Sequence, residues 1–160
     1  MLFRSASCKA RGTTLLGYLE EVQREHGLFV ARQANFTLPG ASGAAAIAAV
    51  MKAFRQAPPA KVGALQVAAV NDYQLQTRTA ADCATPLALP KSNVLSYEFA
   101  GGARITLRPS GTEPKIKFYF ELKETLTTGE PMAAARARAQ TRLQAFEEDF
   151  LTLARTRGLP

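Results

Sequence analysis

The sequence predicts an α+β domain in which a mostly antiparallel sheet of about four strands carries helices packed on one face. Two patterns lead to this prediction. Apolar and polar residues alternate on both sides of Gly101-Gly102, over residues 95–107, which is typical of a β-hairpin. The same period of two recurs over residues 116–122, and apolar residues then follow at helical spacing over residues 143–153. A sheet with one buried face, covered by a C-terminal helix, satisfies both patterns.

The first helix is predicted over residues 12–26, because apolar side chains recur along one stripe of it. The stripe consists of Leu15, Leu16, Leu19 and Val22. Gly27 follows, and glycine is the typical residue at the end of a helix. Residues 1–9 contain basic residues but no sustained apolar stretch, so they do not look like a signal peptide. We expect them to be unstructured if a domain that precedes them is missing.

Two further helices are predicted. One runs from about Ser42 to Arg55, where the start is rich in alanine, the residue with the highest helix propensity, and Pro58-Pro59 ends it. The other is a long helix that begins after Gly129 and Pro131. The buried faces are predicted to consist of Ile47, Val50, Met51 and Phe54 in the former and of Leu143, Phe146, Phe150 and Leu153 in the latter.

Strands are predicted within residues 28–38 and from Val62 to Tyr73, ahead of the hairpin. A polar connection then runs from about Gln74 to Pro90, which is long for a compact domain, and we expect it to be a loop. One face of the sheet is expected to be polar and to carry Arg104, Thr106, Arg108, Lys115, Lys117, Tyr119 and Glu121.

Residues 108–114 connect two predicted strands and have the composition of an anion-binding loop. A guanidinium such as that of Arg108 can meet a phosphate with two parallel hydrogen bonds. Ser110 and Thr112 add hydroxyl donors, and Gly111 lets an anion approach the main-chain N–H groups closely. We therefore expect these four residues to form a cup for a phosphate.

Other charged residues near this loop have two interpretations each. Lys115 and Lys117 follow in the next strand and are weaker candidates for touching the anion, because a strand charge is usually solvated. Glu113 would repel an anion, so it is expected to pair with a nearby lysine or to fix the loop. Lys91 could face the cleft, but a turn at the entry of a strand explains residues 91–93 better. The loop composition is also ordinary for a turn, so a structural or oligomerising domain with an empty turn stays open.

Residues 108–117, Arg-Pro-Ser-Gly-Thr-Glu-Pro-Lys-Ile-Lys, resemble the phosphate-binding loop in the last domain of the α-D-phosphohexomutases. This superfamily contains phosphoglucomutase, phosphomannomutase and phosphoglucosamine mutase. Residues 89–95, Leu-Pro-Lys-Ser-Asn-Val-Leu, look most like the phosphoglucomutase and phosphopentomutase branch. Residues 12–21 are similar to the helix just before that last domain. The resemblance implies a TATA-binding-protein-like fold for residues 29–160 and assigns residues 1–28 to the end of the preceding domain.

The resemblance also implies what a longer enzyme contains. Family members have four domains, of which the first carries a phosphorylated serine, the second a magnesium site and the third a sugar-recognition loop. None of these motifs occurs in the sequence, where His26 is the sole histidine and no Asp-x-Asp cluster could hold a hard cation. We therefore expect no catalytic residue and no metal ligand in this chain, with Mg²⁺ bound elsewhere in the full-length enzyme.

The function implied by the resemblance is to hold the phosphate that is not reacting. In the full-length enzyme a phosphoserine would transfer its phosphoryl group to a hexose or pentose phosphate through a bisphosphate intermediate. Arg108 would be the main anchor, with Ser110, Thr112 and the Gly111 N–H as further donors. The expected partners are a phosphorylated sugar and the missing N-terminal domains of the same enzyme, and the chain alone is expected to be inactive.

The net charge of +7 comes from 20 basic and 13 acidic residues, in a chain that is 47% hydrophobic and therefore globular. Such an excess can attract a phosphorylated metabolite or, as an alternative function, nucleic acid. Much of it lies on the predicted last helix, where a solvated face is the default interpretation. These residues are Arg136, Arg138, Arg142, Arg155 and Arg157. No basic patch is interleaved with stacking aromatic residues, so nucleic acid is not the expected partner.

Cys8 and Cys83 are far apart and form no CxxC pair, so neither metal binding nor redox catalysis is expected of them. A reduced, cytoplasmic setting is the simplest interpretation, although the sequence does not exclude a disulfide between them. No apolar run approaches the ~20 residues that span a bilayer, and we expect no membrane partner.

Overall fold

A computed structural model describes residues 2–160, and four helices and eight strands lie within them. The helices are α1 (Leu2–Ala10), α2 (Leu15–His26), α3 (Ala41–Gln56) and α4 (Met132–Thr156). The strands are β1 (Leu28–Thr37), β2 (Lys61–Val62), β3 (Leu65–Asp72), β4 (Thr77–Ala80), β5 (Cys83–Pro86), β6 (Leu95–Phe99), β7 (Arg104–Pro109) and β8 (Lys115–Glu124).

The strands form an antiparallel sheet in the order β1-β8-β7-β6-β3-β4-β5, with β2 paired to β3 outside this path. The predicted α+β class is confirmed, but the sheet has eight strands rather than about four. The largest difference lies in the connection predicted as a loop, which contains the hairpin of β4 and β5. Ala81 and Asp82 form its two-residue turn with φ of 46° and 61°, the backbone twist that suits a tight hairpin.

One face of the sheet is covered by α3 and α4, as the sequence predicts. The predicted apolar faces of both helices are in the core, where Leu153 alone is only partly buried. Phe54 of α3 stacks on Phe150 of α4 with 5.1 Å between ring centres, and the Phe118 ring of β8 lies 5.7 Å from that of Phe150. The sheet contributes Leu95, Tyr97, Phe99, Ile105, Leu107, Ile116, Phe118, Phe120 and Leu122 to this core. The side chains that alternate with these residues lie on the opposite, open face.

The N-terminal segment forms helix α1 instead of the expected unstructured chain. Cys8 of α1 is buried, and the guanidinium carbons of Arg4 and Arg11 lie 5.8 and 5.6 Å from the centre of the Tyr18 ring in α2. Such cation–π contacts tie α1 to α2. In contrast, α2 contains no buried residue. The apolar side chains that it exposes are Leu15 (52%), Leu16 (74%) and Leu19 (44%).

The α4 residues Arg138, Arg142 and Arg155 are exposed, as expected of a solvated face, and the first two also pair with protein carboxylates. Arg138 Nε lies 3.0 Å from Oε1 of the buried Glu124, and Arg142 pairs with the same carboxylate. Arg138 also forms an ion pair with Glu130. Arg157 lies over an aromatic ring of the core, 4.4 Å from its centre. Part of the positive charge of this helix is therefore balanced by carboxylates of the domain.

The ion pair between Arg138 and Glu130 makes the fold sensitive to acid. The Arg138 hydrogen bonds lower the pKa of the Glu130 carboxyl from 4.5 to about 2. A group whose pKa is lowered in the folded state stabilises the fold above its unfolded pKa, and this stability is lost as pH falls through the folded pKa. We expect Glu130→Gln to unfold at a lower temperature than the wild type at pH 7, with the difference vanishing near pH 2.

Thermal unfolding from pH 7 to pH 2 measures this difference. The matched control is Glu148→Gln, because the Glu148 carboxylate accepts a hydrogen bond from the neutral side chain of Gln144 on the same helix. The control should follow the wild type at every pH. Identical acid profiles for Glu130→Gln and the wild type would contradict the role given to this pair.

Candidate functional site

The loop between β7 and β8, residues 110–114, is closed by main-chain hydrogen bonds. The Ser110 N–H donates to the Lys115 carbonyl at 2.7 Å. At its other end, the Pro114 carbonyl accepts a hydrogen bond of 2.8 Å from the N–H of Leu38, just before α3. The loop is thereby fixed both to itself and to the segment that leads into α3, so a ligand would meet a preorganised surface.

Inside the loop, the Ser110 hydroxyl oxygen accepts hydrogen bonds from the N–H groups of Thr112 (3.5 Å) and Glu113 (3.3 Å). Its own hydroxyl proton stays available for donation to a ligand. The Glu113 carboxylate lies 4.0 Å from the ammonium of Lys115, which is the lysine contact expected from the sequence. Thr112 is exposed at the tip of the loop.

Arg108 and Lys117 are directly opposite each other in the register of β7 and β8, on the open face of the sheet. Neither forms an ion pair with any residue of the described chain, 2–160. Like charges at such positions repel. The neighbouring positions on this face are complementary, because Arg104 is opposite both Glu121 and Glu98. We call Arg108 and Lys117 the cation pair. An anion bound beside them would relieve the repulsion between their two side chains, which lie next to the loop.

A pocket of about 540 Å³ lies between the loop and the N-terminal half of α3. The loop pocket, as we call it, is lined by Gly40, Ala44, Ile47, Ala48, Asn93 and residues 109–115. Three predicted site residues, Ser110, Gly111 and Thr112, therefore line the loop pocket, and so does Lys115. Arg108 and Lys117 do not line it, but each is two residues from Ser110 or Lys115, about 7 Å along a strand. The site therefore has two parts, the cation pair on the open face of the sheet and the loop pocket between the loop and α3.

The structure adds Asn93 to the residues that the sequence indicates. Lys91, the side chain of the 91–93 run that the sequence suggested, is exposed and does not line the loop pocket. The Asn93 side-chain oxygen instead accepts a hydrogen bond of 2.6 Å from Arg55, which is held by Asp72. The three residues come from α3, β3 and the segment before β6, so no local sequence pattern could have joined them.

Gly111 allows a test that separates folding from binding. Its φ is in the ordinary range, and an added Cβ would meet no atom within 4 Å. We expect Gly111→Ala to leave the free energy of unfolding unchanged within about 0.5 kcal/mol. The same methyl group should lower phosphate affinity several-fold, because it occupies space through which an anion reaches the loop N–H groups. Chemical denaturation and phosphate titration measure the two quantities.

The control for Gly111→Ala is Gly101→Ala in the β6–β7 turn, where φ is +83° and the space is equally open. Alanine is strained in that backbone conformation, so this variant should lose stability but keep its phosphate affinity. Wild-type phosphate affinity in Gly111→Ala would show that the main chain at Gly111 is not part of the phosphate site.

Comparison with known families places this fold and loop among the domains of sugar phosphomutases. The family model for the phosphoglucomutase/phosphomannomutase C-terminal domain matches residues 30–139. The chain belongs to this family, which confirms the resemblance carried by residues 108–117.

Curated relatives include two phosphoglucomutases. That of Staphylococcus epidermidis (strain RP62A) is 37% identical over 124 residues, and that of Staphylococcus aureus (strain bovine RF122) is 38% identical over 121 residues. The matches cover 76% and 74% of this chain but 22% of either relative, so the chain spans a small part of their length. A crystal structure of pp63/parafusin, a phosphoglucomutase from Paramecium, in its open form, aligns with a TM-score of 0.43 at 17% identity. The alignment covers 85% of this chain and 23% of the Paramecium chain.

Two further observations concern the described residues only. No three His, Cys, Asp or Glu side chains of residues 2–160 lie together in a group that could hold a metal ion. The residues described here therefore do not fit the metal cofactor that the family implies for the full-length enzyme. None of the helices in this part of the chain has the length and apolar character needed to cross a bilayer.

Proposed function

We propose that this chain is the domain of a sugar phosphomutase that binds the phosphate not taking part in the reaction. The observation that carries the proposal is the cation pair, in which Arg108 and Lys117 face each other without a carboxylate partner in the described chain. A phosphate would neutralise both cations and accept charge-assisted hydrogen bonds from them. Ser110, Thr112 and the Gly111 N–H lie in the adjoining loop and supply further donors.

The chemistry of the longer enzyme explains why such a site is needed. A phosphoserine would donate its phosphoryl group to a hexose or pentose phosphate, and the resulting bisphosphate would turn around before it returns the other group. The idle phosphate must then be held when it is attached to either end of the sugar. Binding energy from this remote group can position the reacting end.

Residues 1–28 are proposed to belong to the preceding domain of the same polypeptide. Two observations support this boundary. The family match begins at residue 30, and α2 exposes its apolar stripe without burying any of its residues. We propose that this stripe packs against the rest of that domain in the longer protein, since an exposed apolar patch of this kind usually marks a contact surface.

The catalytic serine and the metal are assigned to the domains that this chain does not span. The 160-residue chain is therefore expected not to convert glucose 1-phosphate into glucose 6-phosphate, and turnover by the purified chain would contradict this assignment. Cys8 and Cys83 are both free thiols, and we propose a cytoplasmic location on that basis.

Salt dependence separates this function from nucleic-acid binding. A ligand that contacts many phosphates loses affinity steeply as salt rises from ~50 to ~200 mM, whereas a single bound phosphate loses little. We expect the chain to bind inorganic phosphate with weak salt dependence and to show no saturable binding of a single-stranded oligonucleotide. The engagement of Arg138 and Arg142 with protein carboxylates supports this expectation. Tight, steeply salt-dependent oligonucleotide binding without phosphate binding would overturn the proposal.

A further inference from the structure

Asn93 lines the loop pocket and is linked through Arg55 to the buried carboxylate of Asp72. The Asp72 side chain is 8% exposed and lies 3.0 Å from Arg55 Nε. Its other oxygen accepts hydrogen bonds from the N–H groups of Gln74 and Leu75, at 2.9 and 3.2 Å. A carboxylate with three such donors is fixed in place, and it fixes the guanidinium of Arg55, which is itself 15% exposed.

Arg55 determines how the amide of Asn93 is turned. A second nitrogen of its guanidinium donates to the Asn93 side-chain oxygen at 2.6 Å. Because a guanidinium can only donate, the amide presents its oxygen to Arg55 and its NH₂ group away from it. That NH₂ group has no acceptor in the part of the chain that the structure describes, and Asn93 lines the loop pocket. Asn93 is exposed, so its two N–H donors are accessible to a ligand at the pocket wall.

Beside the phosphate donors of the loop, the lining of the loop pocket also suits a neutral, hydroxylated ring. Most of its surface is apolar, and its lining includes Ala44, Ile47, Ala48, Pro109 and Pro114. The C–H faces of a sugar can pack on such residues, while Lys115 on the same wall supplies a cation near the loop. Apolar walls with a few placed polar groups are the usual design of small-molecule sites, and 540 Å³ is in their range.

We propose that Asn93 is a specificity-determining residue, whose side-chain NH₂ group donates a hydrogen bond to an oxygen of the sugar while the cation pair and the loop donors hold the phosphate. The inference rests on the proposed function and deepens it by naming a residue that contacts the sugar. Arg55 and Asp72 act as positioning residues, because they reach the ligand only through Asn93.

The test compares two probes, inorganic phosphate and glucose 1-phosphate, on the purified chain. Asn93→Ala should weaken glucose 1-phosphate about three- to tenfold, the value of one lost neutral hydrogen bond, and leave inorganic phosphate unchanged. Arg55→Lys keeps a cation beside Asp72 but has no planar fork to hold the amide as well, so the same selective loss is expected. The control is Ser92→Ala, an exposed neighbour, which should bind both probes as the wild type does.

A spectroscopic readout identifies the donor directly. In the ¹⁵N-labelled wild type, the side-chain NH₂ resonances of Asn93 should shift on addition of glucose 1-phosphate and stay in place with inorganic phosphate. Equal weakening of both probes by Asn93→Ala, or weakening of neither, would overturn the inference and leave the phosphate site intact. A wild-type chain that binds neither probe would overturn the proposed function and this inference with it.

Discussion

Arg108→Ala is expected to lower the phosphate affinity of the chain about 10- to 100-fold, since a hydrogen bond to a charged group contributes about 1.5–3 kcal/mol. The fold should be unaffected, because Arg108 is exposed on the open face and its removal also ends the repulsion with Lys117. We expect the free energy of unfolding to change by less than about 0.5 kcal/mol. In the longer enzyme the same change should sharply reduce turnover, because the reacting end of the sugar is no longer positioned.

Arg104→Ala is the matched control for this prediction. Arg104 lies on the same strand and the same face, is also exposed, and is 3.8 Å from the Glu121 carboxylate. Its removal takes away the same charge from the surface but not from the loop, so phosphate affinity should stay near the wild-type value. Titration calorimetry of both variants gives the comparison. Equal affinities of Arg108→Ala and the wild type would show that the anchor is wrongly assigned.

Gly43→Ala is expected to have the largest effect on stability. An added Cβ at Gly43, in the first turn of α3, would lie 1.7 Å from the carbonyl oxygen of Leu38 and 2.5 Å from its carbonyl carbon. Both atoms belong to main chain, which cannot move aside as a flexible side chain can. We expect a loss of about 3 kcal/mol in the free energy of unfolding, the upper part of the range for overpacked sites.

The same variant should also weaken phosphate binding, because the Leu38 N–H is bonded to the Pro114 carbonyl at the end of the loop. A shift of Leu38 therefore displaces the loop. Denaturant unfolding and phosphate titration on one sample measure both effects, with Gly111→Ala as the glycine-to-alanine control for stability, since its added Cβ meets nothing within 4 Å. Wild-type stability in Gly43→Ala would contradict the close packing of α3 on this segment.

The parts of the fold with strong periodicity could be predicted from the sequence. The β6–β7 hairpin carries two adjacent glycines with φ of 83° and 84° at its turn, and its flanking alternation fixes which face is buried. The apolar faces of α3 and α4 recur at helical spacing and lie in the core. In these elements the local pattern and the tertiary packing agree.

The hairpin of β4 and β5 could not be predicted, because its sequence shows neither apolar alternation nor a typical turn pair. Its strands are four residues each, polar and largely exposed, so they show no apolar alternation. Its turn has positive φ at Ala81 and Asp82, where the usual Asn-Gly or Asp-Gly pair is absent. Helix α1 was missed for a related reason, since the burial of its Cys8 and the contact of its Arg4 with Tyr18 depend on tertiary structure.

Part of the candidate site could likewise be predicted from the sequence, and part of it could not. The loop residues and Arg108 are contiguous in the sequence, so their chemistry is visible there. The pairing of Arg108 with Lys117 depends on the register of β7 and β8, which sets the two cations opposite each other. Asn93 depends on Arg55 and Asp72, which lie far from it along the chain. Tertiary structure was needed to bring these groups together.

Titration of the ¹⁵N-labelled chain with inorganic phosphate at constant ionic strength tests the phosphate site most directly. We predict saturable shifts at the Arg108 side chain, at the amide groups of residues 110–112 and at Lys117, with all of them following one dissociation constant. Arg108→Ala should remove these shifts together. The absence of any saturable shift, or shifts spread over the arginines of α4 instead, would contradict a phosphate site at the end of β7 and β8.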